Sequence, residues 1–238
     1  MIKIRRLIGG IYYFAAMEFE KIYNKGQARL FKSNFLEALT KAHPLVIWGM
    51  YLPVILYFLY QSAVILNYPA LKIMLLFLGG MFFWSLFEYF AHRFLFHWEP
   101  KGKRAQKIVY TFHGCHHQYP RDTTRLFMPP LPSILISGSV FGIMYLILRF
   151  DAFVFFPGFL LGYLLYGTIH FAIHAWNPPF KWMKPHWRNH HLHHYKNEHM
   201  GFGVSSTLWD HVFGTMFDLK NEIEDKEKVK AMMYERKK

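Results

Sequence analysis

Four long stretches of the chain carry almost no charge, and they come in two closely spaced pairs. Leu45 to Leu66 is an unbroken run of 22 residues without Asp, Glu, Lys or Arg. As a helix it crosses the roughly 30 Å hydrocarbon layer of a bilayer. Asn67-Tyr68-Pro69 reads as a turn. Lys72 precedes Ile73 to Phe87, an apolar run of 15 residues holding Gly79-Gly80. That run is short alone, but as a helix it continues through Glu88 towards His92. Leu131 to Leu148 is a third run, of 18 residues; Arg149 and Asp151 mark a turn, and Ala152 to Ile169 is a fourth run, ending at His170. The pattern predicts an all-α integral membrane protein with four transmembrane helices arranged as two hairpins. The spans fall near 45–66, 71–91, 131–148 and 152–172.

The segments between and around the runs are basic. Residues 1–44 hold eight Lys or Arg, residues 91–130 seven and residues 175–238 eleven, leaving only Lys72 and Arg149 for the two tight turns. Lys and Arg gather on the cytoplasmic side. Both termini and the polar segments are therefore expected there, the latter as a helical cap. Residues 1–44 read as an amphipathic, interfacial segment, 45–219 as one domain and 220–238 as a charged, solvated tail. Leu7 to Met17, after Lys3, Arg5 and Arg6, superficially resembles a signal peptide. Glu18 and Glu20 argue against cleavage, so a short interfacial helix is expected instead.

Composition sharpens this picture. The chain of 238 residues is 53% hydrophobic and 20% aromatic, with a formal charge of +13. A basic balance beside long uncharged runs points to membrane rather than nucleic acid as the partner. The single cysteine, Cys115, excludes a disulfide within the chain. It reads as a small buried residue rather than a ligand.

Ten histidines then stand out, in four clusters: His92 and His97; His113, His116 and His117; His170 and His174; His190, His193 and His194. The two triplets share the spacing H-x-x-H-H. Residues three and four apart lie on one helix face, so a helical triplet turns three imidazoles in roughly one direction. His92 and His97 are five apart, about 140° of α-helical turn. They converge only if the helix ends or distorts between them, or if each serves a different metal. Incidental interfacial histidines explain one such residue, not four clusters with a repeated spacing. Imidazole suits zinc, copper, iron and nickel, and one ion takes about four to six ligands. Ten ligands fit two ions.

A pair of imidazole-bound metals without an acidic bridge differs from carboxylate di-iron bundles. Glu88, Asp122 and Asp210 are candidates to orient ligand rings, with a pairing to Arg93 as the alternative for Glu88. Zinc has no redox couple, whereas iron with open positions activates O2 against C–H bonds. Beside a bilayer, such a site receives an acyl chain from the lipid. Phe87, Phe90, Phe94 and Phe171 are candidate apolar walls, beside their ordinary reading as packing or interfacial aromatics.

The motifs carry a resemblance. Glu88-Tyr89-Phe90-Ala91-His92-Arg93-Phe94-Leu95-Phe96-His97 is followed by His113-Gly114-Cys115-His116-His117-Gln118-Tyr119-Pro120-Arg121-Asp122 and by Arg125-Leu126-Phe127-Met128-Pro129-Pro130. Later come His190 to Tyr195, Gly201-Phe202-Gly203-Val204, Trp209-Asp210 and Phe213-Gly214-Thr215. From about Phe31 to Phe217 the chain resembles the fatty acid hydroxylase superfamily, the sterol desaturase-like membrane di-iron proteins. The stretch from His113 to Pro130 is most similar to fatty acid (sphingolipid) 2-hydroxylases. The resemblance implies that all ten histidines bind metal. It assigns no ligand role to His43, His186, His191, His199 or His211, which are expected at the interface or behind the ligands. Relatives often carry a fused b-type haem domain. The 44 residues before the first span are too few for one, which implies a form without it and a separate electron donor: a b-type cytochrome, a ferredoxin or a reductase.

The expectation is therefore a membrane monooxygenase with two Fe ions, which zinc is able to replace in purified protein. It takes O2 and a lipid, and hydroxylates carbon 2 of a fatty acyl chain in a ceramide or a free acid. The rivals are a hydroxylase or desaturase of a sterol, carotenoid or aminolipid, and a non-catalytic membrane zinc-binding protein. The absent haem domain and the lack of a dilysine signal lean towards a bacterial plasma membrane over the endoplasmic reticulum.

Overall fold

A computed structural model describes residues 22–218; the expected N-terminal interfacial helix and the charged tail lie outside them. Among the described residues all regular structure is helical. In chain order the helices are α1 (Asn34–Ala38), α2 (Pro44–Tyr60), α3 (Ala70–Phe90), α4 (Lys103–Val109), α5 (Cys115–Gln118), α6 (Pro130–Leu148), α7 (Ala152–Ala175), α8 (Lys184–Tyr195) and α9 (Leu208–Val212). Three helical stretches are long and apolar enough to cross a membrane: Pro44–Ile65, Ala70–Phe96 and Thr123–Ala175. The third contains a reversal. Arg149 takes a left-handed φ of +53° between α6 and α7, and the two helices run back along each other. Ser133, near the start of α6, meets Tyr51, whose ring contacts Tyr163 midway along α7. Phe141, further on, packs on Phe156 early in α7. Asn67 makes the corresponding reversal between α2 and α3, with φ +49°.

α7 is the hub, packed against α2, α3 and α6. Two glycines set its distance from α3. A Cβ on Gly158 would lie 2.0 Å from the Phe77 carbonyl oxygen, and one on Gly80 2.0 Å from that of Phe155. Only a missing side chain lets the backbones approach so closely. α2 turns Ile47, Tyr51 and Ile55, spaced by four, onto this core. The outer faces stay apolar and uncovered: Leu45 is 73% exposed, Leu146 70% and Ile147 74%. An apolar exterior on such helices is the surface that lipid covers, so the chain is a membrane protein.

Three helices widen into a π turn: at Gln61–Ile65, Ala91–Phe96 and Tyr110–Gly114. π turns are rare and concentrate at functional sites. Here two of the three carry histidines.

Candidate metal centre

The π turn at the end of α3 resolves the spacing of His92 and His97. The His97 N–H donates to the His92 carbonyl at 3.2 Å, an i→i+5 bond. The wider turn stacks residues five apart where an α-helix would separate them. The turn at Tyr110–Gly114 delivers His113 in the same way, α5 carries His116 and His117, the end of α7 carries His170 and His174, and α8 carries the last triplet.

The ten histidines gather into two groups of five. The first is His92, His97, His113, His117 and His193; the second is His116, His170, His174, His190 and His194. Within each, one ring nitrogen per residue lies within 4.8 Å of all the others. Each H-x-x-H-H triplet is split: its first and last rings enter one group and its middle ring the other. The groups adjoin, with the His117 and His194 ring centroids 4.2 Å apart. Cys115 and the other five histidines belong to neither.

The inward atoms are Nε2. In the first group His92–His113, His113–His117 and His97–His193 are separated by 3.1, 3.0 and 3.1 Å. In the second, His116–His170, His174–His190 and His190–His194 are separated by 2.9, 3.0 and 3.1 Å. Donors about 2.1 Å from one ion and at right angles to each other stand about 3.0 Å apart. The proton positions agree. His92 Nδ1 donates to the Phe202 carbonyl at 2.5 Å and His193 Nδ1 to the Met200 carbonyl at 2.7 Å. Those rings therefore turn a bare Nε2 lone pair inwards. Burial, then the neighbouring imidazoles, holds His97, His113, His116, His117, His190 and His194 well below the usual 6.5. Neutral rings with converging lone pairs repel one another until a cation lies between them. The residues thus fit two metal ions.

Behind the first group stands a scaffold that sequence reasoning located only in part. Gly201, at φ +72°, bends the chain so that the carbonyls on either side of it reach His193 and His92. Phe202 N–H and Gly203 N–H donate to Asp210 at 2.9 Å, joined there by Asn189 at 3.2 Å and Thr215 at 2.8 Å. Glu88 accepts from Val204 N–H at 2.8 Å, Ser205 N–H at 2.9 Å and the Ser205 hydroxyl. Glu88 and Asp210 thus steer ligand rings through a loop, touching none themselves. Arg93 donates to Tyr89 instead of pairing with Glu88. Asp122 caps Thr124 and holds Arg125 at 2.7 Å, away from the rings. Glu198 is a residue the sequence did not mark: its carboxylate lies 3.8 Å from Nδ1 of both His97 and His117. Burial, aided by the charge of Glu99, raises it to about 7. The run Asn-Glu-His-Met-Gly-Phe-Gly after the fourth cluster was its one signal. In the second group, His116, His190 and His194 have buried Nδ1 atoms without a hydrogen-bond partner.

A cavity of about 460 Å³ reaches both groups, lined by His113 of the first and His116 and His170 of the second. Of the four expected apolar walls only Phe87 lines it. Phe90 and Phe94 stack on each other at the exterior, and Phe171 packs on Trp176.

A helical membrane protein with ten imidazoles in two groups, both opening on one apolar cavity, defines a class of lipid-facing metalloprotein. The fatty acid hydroxylase family model matches residues 77–215, and the chain belongs to that family. It is 39% identical over 209 residues to the ceramide very long chain fatty acid hydroxylase SCS7 of Saccharomyces cerevisiae, covering 86% of this chain and 53% of that one. It is 36% identical to the dihydroceramide fatty acyl 2-hydroxylase FAH2 of Arabidopsis thaliana, with 81% of each chain covered. A solved structure described as full-length scs7p, with only its hydroxylase domain visible, superposes with a TM-score of 0.73 at 39% identity, covering 77% of this chain and 70% of that one. The chain thus spans about half the yeast relative and four fifths of the plant one. A yeast and a plant lend no support to the expected bacterial plasma membrane.

Proposed function

We propose that this chain is an O2-dependent di-iron monooxygenase that hydroxylates carbon 2 of a fatty acyl chain, carried by a ceramide-type lipid or as the free acid. One observation carries the reading: the apolar cavity ends on His113, His116 and His170, so an alkyl chain within it lies against both histidine groups at once. Membership of the family and the 2-hydroxylase and ceramide hydroxylase names of its relatives support the same chemistry.

The two histidine groups would each hold one iron ion. Bound iron supplies the redox chemistry that inserts oxygen into an unactivated C–H bond, which zinc in the same place lacks. The protein does the rest. Nδ1–H bonds to Phe202 and Met200 keep His92 and His193 in the tautomer that presents Nε2. The cavity walls exclude water and hold the alkyl chain in place beside the centre. Per turnover a C–H bond becomes C–OH, the second oxygen atom leaves as water, and a separate donor supplies two electrons, with two protons taken up.

The reading includes four spans, α2, α3, α6 and α7, each running to the same face of the bilayer as the histidines. α4, α5, α8 and α9 form a cap on the cytoplasmic side, within a domain of about 45–219. The Lys and Arg distribution supports that orientation.

Lipid mass spectrometry on iron-supplied, ceramide-making cells tests the activity, with a His193→Ala, His194→Ala control. One added oxygen at carbon 2, present only with the intact chain, is expected. Oxygen on a sterol or carotenoid, or a new double bond, would replace the substrate or reaction assigned.

A further inference from the structure

Partway along the cavity its wall turns polar. The Tyr51 hydroxyl lies 2.7 Å from the Ser133 hydroxyl and 2.9 Å from that of Ser137. The Tyr163 ring meets the Tyr51 ring edge-on at 5.9 Å, and all four residues line the cavity. The Tyr163 hydroxyl is buried without a partner in hydrogen-bonding geometry; its polar neighbours are the Met128 backbone and the Ser133 hydroxyl, the latter already engaged with Tyr51. A pure alkyl chain at this level would leave that hydroxyl unsatisfied, an arrangement proteins avoid.

The level of this belt matters. Tyr163 precedes His170 by seven residues of α7, about 10 Å along the axis. Beyond the belt the wall is apolar again, with Ile136, Val140, Phe159 and Leu160. An occupant that satisfies the belt therefore has a polar middle and hydrocarbon on both sides. In an N-acylated amino diol, five bonds separate the reacting carbon from the nearest hydroxyl, a reach of about 6 Å. That matches the belt once the carbon stands off from His170. A single-chain fatty acid fits worse. Its carboxylate would need a cation there, and the charge of Arg125, the Lys or Arg of the described lining, is already offset by two carboxylates, Glu37 and Asp122.

We infer that Tyr51, Ser133, Ser137 and Tyr163 form a subsite binding the hydroxyl-bearing middle of a two-chain N-acyl lipid, and so set the preference for that lipid over one lacking hydroxyls. This rests on the cavity being the acyl site proposed above.

Equilibrium binding of radiolabelled lipid to the full chain in nanodiscs tests it. The probes are a saturated ceramide and an N-alkyl amide with the same two chains and no hydroxyls. The intact protein should bind the ceramide about tenfold tighter. Tyr163→Phe and Ser133→Ala should each remove most of that preference, and Ser137→Ala part of it. Ser139→Ala, whose hydroxyl bonds Leu135 on the exposed side of α6, should leave it intact. Equal affinity of the intact chain for both probes, or a preference surviving both Tyr163→Phe and Ser133→Ala, overturns the assignment. Turnover of the same lipids separates the two readings. Carbon-2 hydroxylation without discrimination removes the subsite and keeps the activity. Discriminating binding without oxygenation does the reverse.

Discussion

At the scale of single residues, the histidine centre is held together by what its imidazoles refuse to do. Burial keeps the ligand rings outside the spans from taking a second proton, and His191 behind them is lowered to about 4. An unfolded chain protonates its histidines below about pH 6.5. The folded chain does not, so the unfolded state binds more protons below that value. The stability is therefore complete above pH 6.5 and drains as pH falls towards the folded values. At pH 5 each such ring accounts for on the order of 2 kcal/mol. The metal-free chain should show a thermal midpoint in detergent that is flat above pH 7 and falls between pH 6.5 and 5. Bound metal should be released over the same range as protons compete for Nε2. A midpoint unchanged down to pH 5 would mean that the rings are not buried in neutral form. The ten histidines themselves were legible in the sequence, because ligands need a chemical type and a spacing. Their partition was not. Each triplet sends its middle ring to the other group; the 100° between adjacent helix positions sets that ring apart from the last one, but which group each enters depends on where α3, α7 and α8 meet. The carbonyls of Met200 and Phe202 left no mark either, because a backbone atom has no letter.

At the scale of elements, the four apolar runs and their turns read directly from hydropathy, and the reversals at Asn67 and Arg149 fall where the polar residues placed them. The π turns did not, because a helix that gains one residue per turn keeps the same composition. Only the five-residue separation of His92 and His97 hinted that the helix had to distort. Glycine positions are informative in a different way. Gly158→Ala puts a Cβ into the Phe77 carbonyl, whereas a Cβ at Gly138 meets nothing within 4 Å. Gly158→Ala should cost about 3 kcal/mol or prevent folding. Gly138→Ala should be neutral or stabilising by up to about 1 kcal/mol. Heating each variant in detergent and following the monodisperse fraction compares them; equal loss in both would remove the close α3–α7 crossing.

At the scale of the whole molecule, the positions of charge and of histidines describe one arrangement. In the proposed arrangement each long helix has one end on the side of the histidines and the other beside a reversal flanked by Lys72 or Arg149. Cysteine labelling tests it against a low background, since Cys115 is buried. Glu99→Cys and Phe150→Cys should react with a membrane-impermeant maleimide from opposite faces, Glu99→Cys from the cytoplasmic one. Labelling of both from one face would break the four-span arrangement.

The most direct measurement is metal content by mass spectrometry of the protein purified from iron-supplied cells, beside His193→Ala and His190→Ala, which remove one donor from the first and second groups respectively. Two five-histidine sites predict about two iron ions per intact chain. Each variant should weaken one site and leave about one firmly bound ion. One ion per intact chain, or no loss from either variant, would contradict the two-metal centre on which the proposed hydroxylation depends.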